Sequence, residues 1–81
     1  MSNITKLIHV GFENNLAFDK VIAIATPISA PVKRAVQRAK KEERLIDLTN
    51  GRRTKTVVFL DDGWVAVIAI SSETFSSRAS K

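Results

Sequence analysis

The chain has no cysteine and no tyrosine, one histidine, one tryptophan, three glycines and two prolines among its 81 residues. Without cysteine there is no disulfide, no thiolate nucleophile and no cysteine-based metal site. The lone His9 has no clustered carboxylates around it in sequence, so it reads as a structural or interface residue and no metal is expected. No apolar run approaches the roughly 20 residues of a membrane-spanning helix. The start, Met1-Ser2-Asn3-Ile4, lacks the basic flank and apolar core of a signal peptide, so the expected compartment is the cytoplasm. Asp61-Asp62 precede Gly63 and are explained by turn formation, and the serines near the C-terminus have no candidate base. An enzyme, a cofactor and a small-molecule substrate are therefore not expected.

The chain does hold 44% hydrophobic residues, too many for a disordered basic tail. Its length allows a single domain, 1–81, which buries only roughly 60% of the surface its unfolded chain exposes. Thirteen Lys and Arg against eight Asp and Glu give a net charge of +5. Nine of those cations lie between Lys33 and Lys55, opposed by Glu42, Glu43 and Asp47, so the middle third carries the imbalance. A clustered excess of this kind points to a polyanionic partner.

Hydrophobic periodicity predicts an α+β fold: a small, mostly antiparallel sheet of about five short strands, one basic helix packed on it, and a short C-terminal helix. Leu7 to Phe12 alternates, with Ile8, Val10 and Phe12 on one face, and Glu13-Asn14-Asn15 follows as a turn. Leu16 to Ala25 is a second strand, ended by Pro27. Ser29-Ala30-Pro31 starts a helix whose apolar stripe is Val32, Ala35, Val36 and Ala39, running to Glu43 or Arg44. Leu45 to Thr49, Lys55 to Leu60 and Trp64 to Ile70 are the remaining strands, and Ser71 caps a helix reaching about Arg78. Several strands are apolar on both faces while one helix covers only one, which predicts a homo-oligomer. Trp64, beside a turn, is better explained by packing than by stacking on a base.

The chemistry centres on Gly51-Arg52-Arg53-Thr54-Lys55. Asn50-Gly51 tolerates the positive φ angles of a tight hairpin turn, which would present the two arginines rigidly at the edge of a sheet. Arginine forks fit anions with planar, multi-oxygen geometry, and in a basic chain the leading candidate is the phosphate backbone of a nucleic acid. Lys55, close to the turn, is a further candidate for phosphate contact, as are Lys33, Arg34 and Arg38 on the basic helix face, weighed against the ordinary reading of such a face as simply solvated. An RNA-binding protein is a weaker alternative because aromatics make up only 6% of the chain. A structural ring or adaptor for an acidic protein is a third.

The order Ser29-Ala30-Pro31-Val32-Lys33-Arg34, Leu45-Ile46-Asp47-x-Thr49-x-Gly51-Arg52-Arg53-Thr54 and Glu73-Thr74 with Arg78 resembles the RemA family of bacterial extracellular-matrix regulators. The resemblance implies a small DNA-binding transcription regulator of the nucleoid that assembles into a closed ring and bends double-stranded DNA around it, much as a histone core does. It implicates Arg52 and Arg53 in that contact. A third family arginine corresponds to Lys20, which keeps the charge without the bidentate fork. Ile28 stands where relatives often carry an acidic residue.

Overall fold

The computed structural model describes residues 6–80, so Met1 to Ile4, which figure in the expectations above, lie outside the described residues. Six strands and two helices form the α+β fold: β1 (Leu7–Gly11), β2 (Asn14–Ala17), β3 (Val21–Ala25), α1 (Ala30–Lys41), β4 (Leu45–Asp47), β5 (Thr56–Leu60), β6 (Val65–Ile68) and α2 (Ser72–Ala79). They make two sheets, a β1-β2 hairpin and a four-stranded sheet in the order β3-β5-β6-β4. Within the larger sheet β3-β5 and β5-β6 are antiparallel, while β4 runs parallel to β6.

The predicted second strand is two. Phe18-Asp19-Lys20 form a single 3-10 turn that breaks Leu16 to Ala25 and sends its halves into different sheets. The β1-β2 turn is also displaced from Glu13-Asn14-Asn15: Gly11 pairs with Asn14, and Phe12 (φ 55°) and Glu13 (φ 63°) are the two central residues. Phe12 therefore leaves the core face on which strict alternation puts it. Ile8 and Val10 are buried as expected.

Helix α1 begins as its sequence dictates, with the Ser29 hydroxyl accepting from the Val32 N–H (3.4 Å) and Pro31 in the first turn. It stops at Lys41, short of Glu43, because Glu43 turns left-handed (φ 61°). The Arg44 N–H then reaches back to the Ala39 carbonyl (2.7 Å) and the Glu43 N–H to that of Lys40 (3.2 Å), closing the helix in a Schellman motif. Helix α2 is capped by the Ser71 hydroxyl, which accepts from the Thr74 N–H (3.1 Å).

Both faces of the central strands β5 and β6 are covered from within the chain. On one, Val57, Val65 and Val67 pack with Ala39, Val32 and Val36 of α1. On the other, Val58, Leu60, Ala66 and Ile68 pack with Ile8, Val10 and Leu16 of the hairpin and Phe75 of α2. Arg78 of α2 donates to the His9 carbonyl (2.7 Å), tying the helix to the hairpin and giving His9 a structural setting. Strands β5 and β6, apolar on both faces, are thus covered from within the chain, whereas β3, also apolar on both faces, keeps Ile22 and Ala23 exposed. The apolar surface that stays open includes Ile22 of edge strand β3, at 68% exposure, with Phe18, Leu7 and Ile28. No helix among the described residues is long and apolar enough to cross a membrane.

Candidate nucleic-acid interface

Residues 48–55 form a loop anchored twice on one strand. The Leu48 N–H donates to the Val67 carbonyl and the Lys55 N–H to that of Ile68, both at 2.9 Å, so the loop starts and ends at the C-terminal end of β6. Inside it, Asn50 (φ 55°) and Gly51 (φ 80°) are both left-handed and the Arg52 N–H closes the turn onto the Thr49 carbonyl (3.0 Å). This is the turn predicted from Asn-Gly, but it is not a hairpin: β6 lies between β4 and β5, so the flanking strands do not pair. Upstream, the Asp47 carboxylate accepts from both the Thr49 N–H (2.9 Å) and the Thr49 hydroxyl (2.6 Å). Those bonds hold the Asp47 carboxyl below its ordinary pKa of 3.8, since they favour the ionised form. At the loop's exit Thr56 is fully buried and donates its hydroxyl to the Ile70 carbonyl (2.8 Å). The arginines are thus exposed side chains on a fixed backbone.

Arg52, Arg53 and Lys55 line one open cleft together with Gly11, Phe12, Ala69 and Ile70. The Arg52 guanidinium lies over the Phe12 ring, with Cζ 5.2 Å from the ring centre. None of the three cations has a hydrogen bond or salt bridge from its side chain among the described residues. Lys33 lines an adjoining groove with Thr54, Val36 and Val57, which brings it to the same loop from the α1 side. Arg34 is on the outer part of α1 with Gln37, Arg38 and Lys41, away from that cleft.

Lys20 sits elsewhere. It occupies the 3-10 turn before β3 and lines a cleft with Ile46, Leu60, Asp61, Asp62 and Trp64. Val21 pairs with Leu60 whereas Thr56 pairs with Ile68, so Lys20 and the arginine loop flank opposite ends of β5, separated by roughly 13 Å of strand. At that end Arg44 is engaged: it donates to the Asp62 carbonyl (2.8 Å) and lies over Trp64, with Cζ 5.9 Å from the ring centre, while Trp64 itself stays 38% exposed. Among the described residues no group of His, Asp or Glu side chains is arranged to hold a metal ion.

Sequence reasoning missed Phe12. The available signal was Gly11-Phe12-Glu13, a glycine followed by a residue too large for the turn it enters, and alternation concealed it.

Among proteins of similar sequence, one from Dehalococcoides mccartyi, provisionally named a regulatory protein, is 48% identical over 75 residues, covering 93% of this chain and 78% of its own length. Another so named, from a Synechococcus strain, is 46% identical over 91% of this chain and 83% of its own length. A third, from Kosmotoga olearia, is 50% identical over 89% and 73%. The family model described as extracellular matrix regulatory protein A-like matches residues 7–79, and with the loop, the capped helices and the matching relatives taken together the chain belongs to the RemA-like family.

Proposed function

We propose that this chain is a DNA-binding regulator acting as a ring-like homo-oligomer, which holds the phosphate backbone through Arg52 and Arg53 and bends or wraps the duplex. The regulatory part of the reading rests on family membership and on the names of the relatives. DNA binding rests on one observation above the others: two arginines and Lys55 converge on a single cleft, on a loop pinned at both ends to β6, with no carboxylate among the described residues engaged with them. Rigid backbone and free N–H edges suit bidentate phosphate contacts. Lys33 extends the positive surface across Thr54, while Arg34 contributes only to the long-range field.

Assembly is supported by two features. Lys20 lies at the far end of β5 from the arginines, so a DNA path touching both kinds of site is most simply built from neighbouring copies. The β3 edge offers a surface for such a neighbour. Ile22 is the extra residue of a bulge between Val21 and Ala23, exposed beside Phe18, Ile24 and Ala79. A bulged edge resists strand addition, so the contact would be made by side chains. A repeated contact between two different surfaces closes into a ring when the rotation allows it.

Fluorescence anisotropy with labelled duplex DNA, duplex RNA and single strands at two salt concentrations tests the reading. Tightest binding to duplex DNA, weakened by salt, is expected. Preference for RNA would favour the RNA-binding alternative, and no binding to any nucleic acid would favour an adaptor for an acidic protein.

A further inference from the structure

The β1-β2 hairpin places its least suitable residue at its tip. A two-residue hairpin with both central φ angles positive favours Asn-Gly or Gly-Gly, because a β-carbon crowds the backbone there. Phe12 and Glu13 hold those two positions, at φ 55° and 63°, and Gly11 before them is at 101°. The bulky ring does not seal the core, since Phe12 remains 40% exposed. What it does is underlie a cation: the Arg52 guanidinium sits 5.2 Å from its centre, at the wall of the cleft shared with Arg53 and Lys55.

We propose that Phe12 is the positioning residue for Arg52, holding the guanidinium by its face so that its edge is presented to a phosphate. The inference rests on the reading of Arg52 as a phosphate ligand. Stacking and phosphate binding do not compete, because a guanidinium stacks through its π face and donates through N–H groups in its plane. An arginine already held in place loses less rotamer freedom on binding, which strengthens the contact without adding one. The Arg44–Trp64 pair is the internal contrast: Arg44 also lies over a ring, yet its edge is occupied by the Asp62 carbonyl. Among the described residues the Arg52 edge has no partner. Among the described residues Arg53 makes no aromatic contact, so the effect of Phe12 is specific to Arg52.

The experiment is an anisotropy titration of labelled duplex DNA with the full chain as wild type, Phe12→Leu, Phe12→Trp, Arg52→Ala and the Phe12→Leu/Arg52→Ala double variant. Leucine keeps apolar bulk and removes the π face, and should weaken binding roughly two- to fivefold per contact, multiplied where several copies touch the DNA. Tryptophan should bind at least as tightly as wild type. Phe12→Leu should add nothing once Arg52 is alanine. In the unbound wild-type protein the Arg52 Nε–H resonance should show an aromatic ring-current shift that Phe12→Leu removes, a signature that requires no DNA. Equal affinity of Phe12→Leu and wild type, equal weakening by leucine and tryptophan, an undiminished effect on the Arg52→Ala background, or an unshifted Arg52 resonance would each overturn the role of Phe12 alone. Failure of the wild type to bind duplex DNA would overturn the phosphate-binding reading and this inference with it.

Discussion

Arg52 and Arg53 differ from the chain's other cations in how their backbone is held. Lys40 and Lys41 end a solvated helix, whereas the arginines follow a turn closed by the Arg52 N–H and stand between two anchors on β6. A charge-assisted bond from a fixed arginine contributes on the order of 1.5–3 kcal/mol. Lysine at position 52 or 53 should therefore recover only part of the affinity lost with alanine, because it restores charge and not the fork; full recovery in a titration against duplex DNA would refute a bidentate contact. Asp47 supports the same loop by a different route. Its ionised carboxylate is favoured in the folded chain by the two Thr49 bonds, so its folded pKa lies below the unfolded value near 3.8. That contribution is present above the unfolded value and disappears as pH falls through the lower, folded one. Asp47→Ala should therefore melt below wild type at neutral pH, with the gap closing as pH drops below about 4. A gap that widens under acid would contradict this sign.

At the scale of elements, the end of α1 makes a prediction of its own. Glu43 occupies the left-handed position of a Schellman motif where glycine is ordinarily found. Glu43→Gly should stabilise the fold by about 0.5–1 kcal/mol, the relief of left-handed crowding exceeding the added freedom of the unfolded chain. Calorimetry should find a melting temperature raised by a few degrees, and a lowered one would show that the Glu43 side chain has a role beyond the turn. Both helices were legible in the sequence because their caps, Ser29 with Pro31 and Ser71, are local chemistry. The two tight turns near the N-terminal third and the middle were legible only in part. Asn50-Gly51 bends as its residues require, yet whether a turn joins paired strands depends on where β6 inserts, which is a long-range matter. Phe12-Glu13 turns against its residue preferences, because burying Ile8, Val10 and Leu16 together fixes the hairpin register. The break at Phe18-Asp19-Lys20 was hidden for a related reason: nothing in Leu16 to Ala25 signals a turn as strongly as its apolar residues signal a strand. The cluster of Arg52, Arg53 and Lys55 was readable because the three are near neighbours in sequence. The position of Lys20 at the opposite end was not, since it depends on the β3-β5 register.

For the whole molecule, the closed core shifts the case for assembly from the sheet faces to the sheet edge. The hairpin and α2 occupy the face that sequence left bare, and Ile22, Phe18 and their neighbours remain in the open. A charged residue at the β3 bulge should break a side-chain interface while leaving the β3-β5 pairing intact. Ile22→Lys is thus expected to be folded by circular dichroism and to run in light scattering near the 8.9 kDa of one chain, whereas wild type runs at a multiple of it. Wild type at the monomer mass would remove the ring, and an unchanged multiple in Ile22→Lys would move the interface away from β3.

The decisive measurement is the slope of log affinity for duplex DNA against log salt, compared between wild type, Arg52→Ala and Lys40→Ala at matched oligomeric state. Each phosphate contact contributes about 0.9 to that slope through the counterions it releases. Arg52→Ala should flatten the slope by about 0.9 times the number of copies that touch the DNA, and Lys40→Ala, which removes the same formal charge from the solvated end of α1, should leave it nearly unchanged. Equal flattening by the two substitutions, or none by Arg52→Ala, would mean that the loop is not where this chain holds DNA.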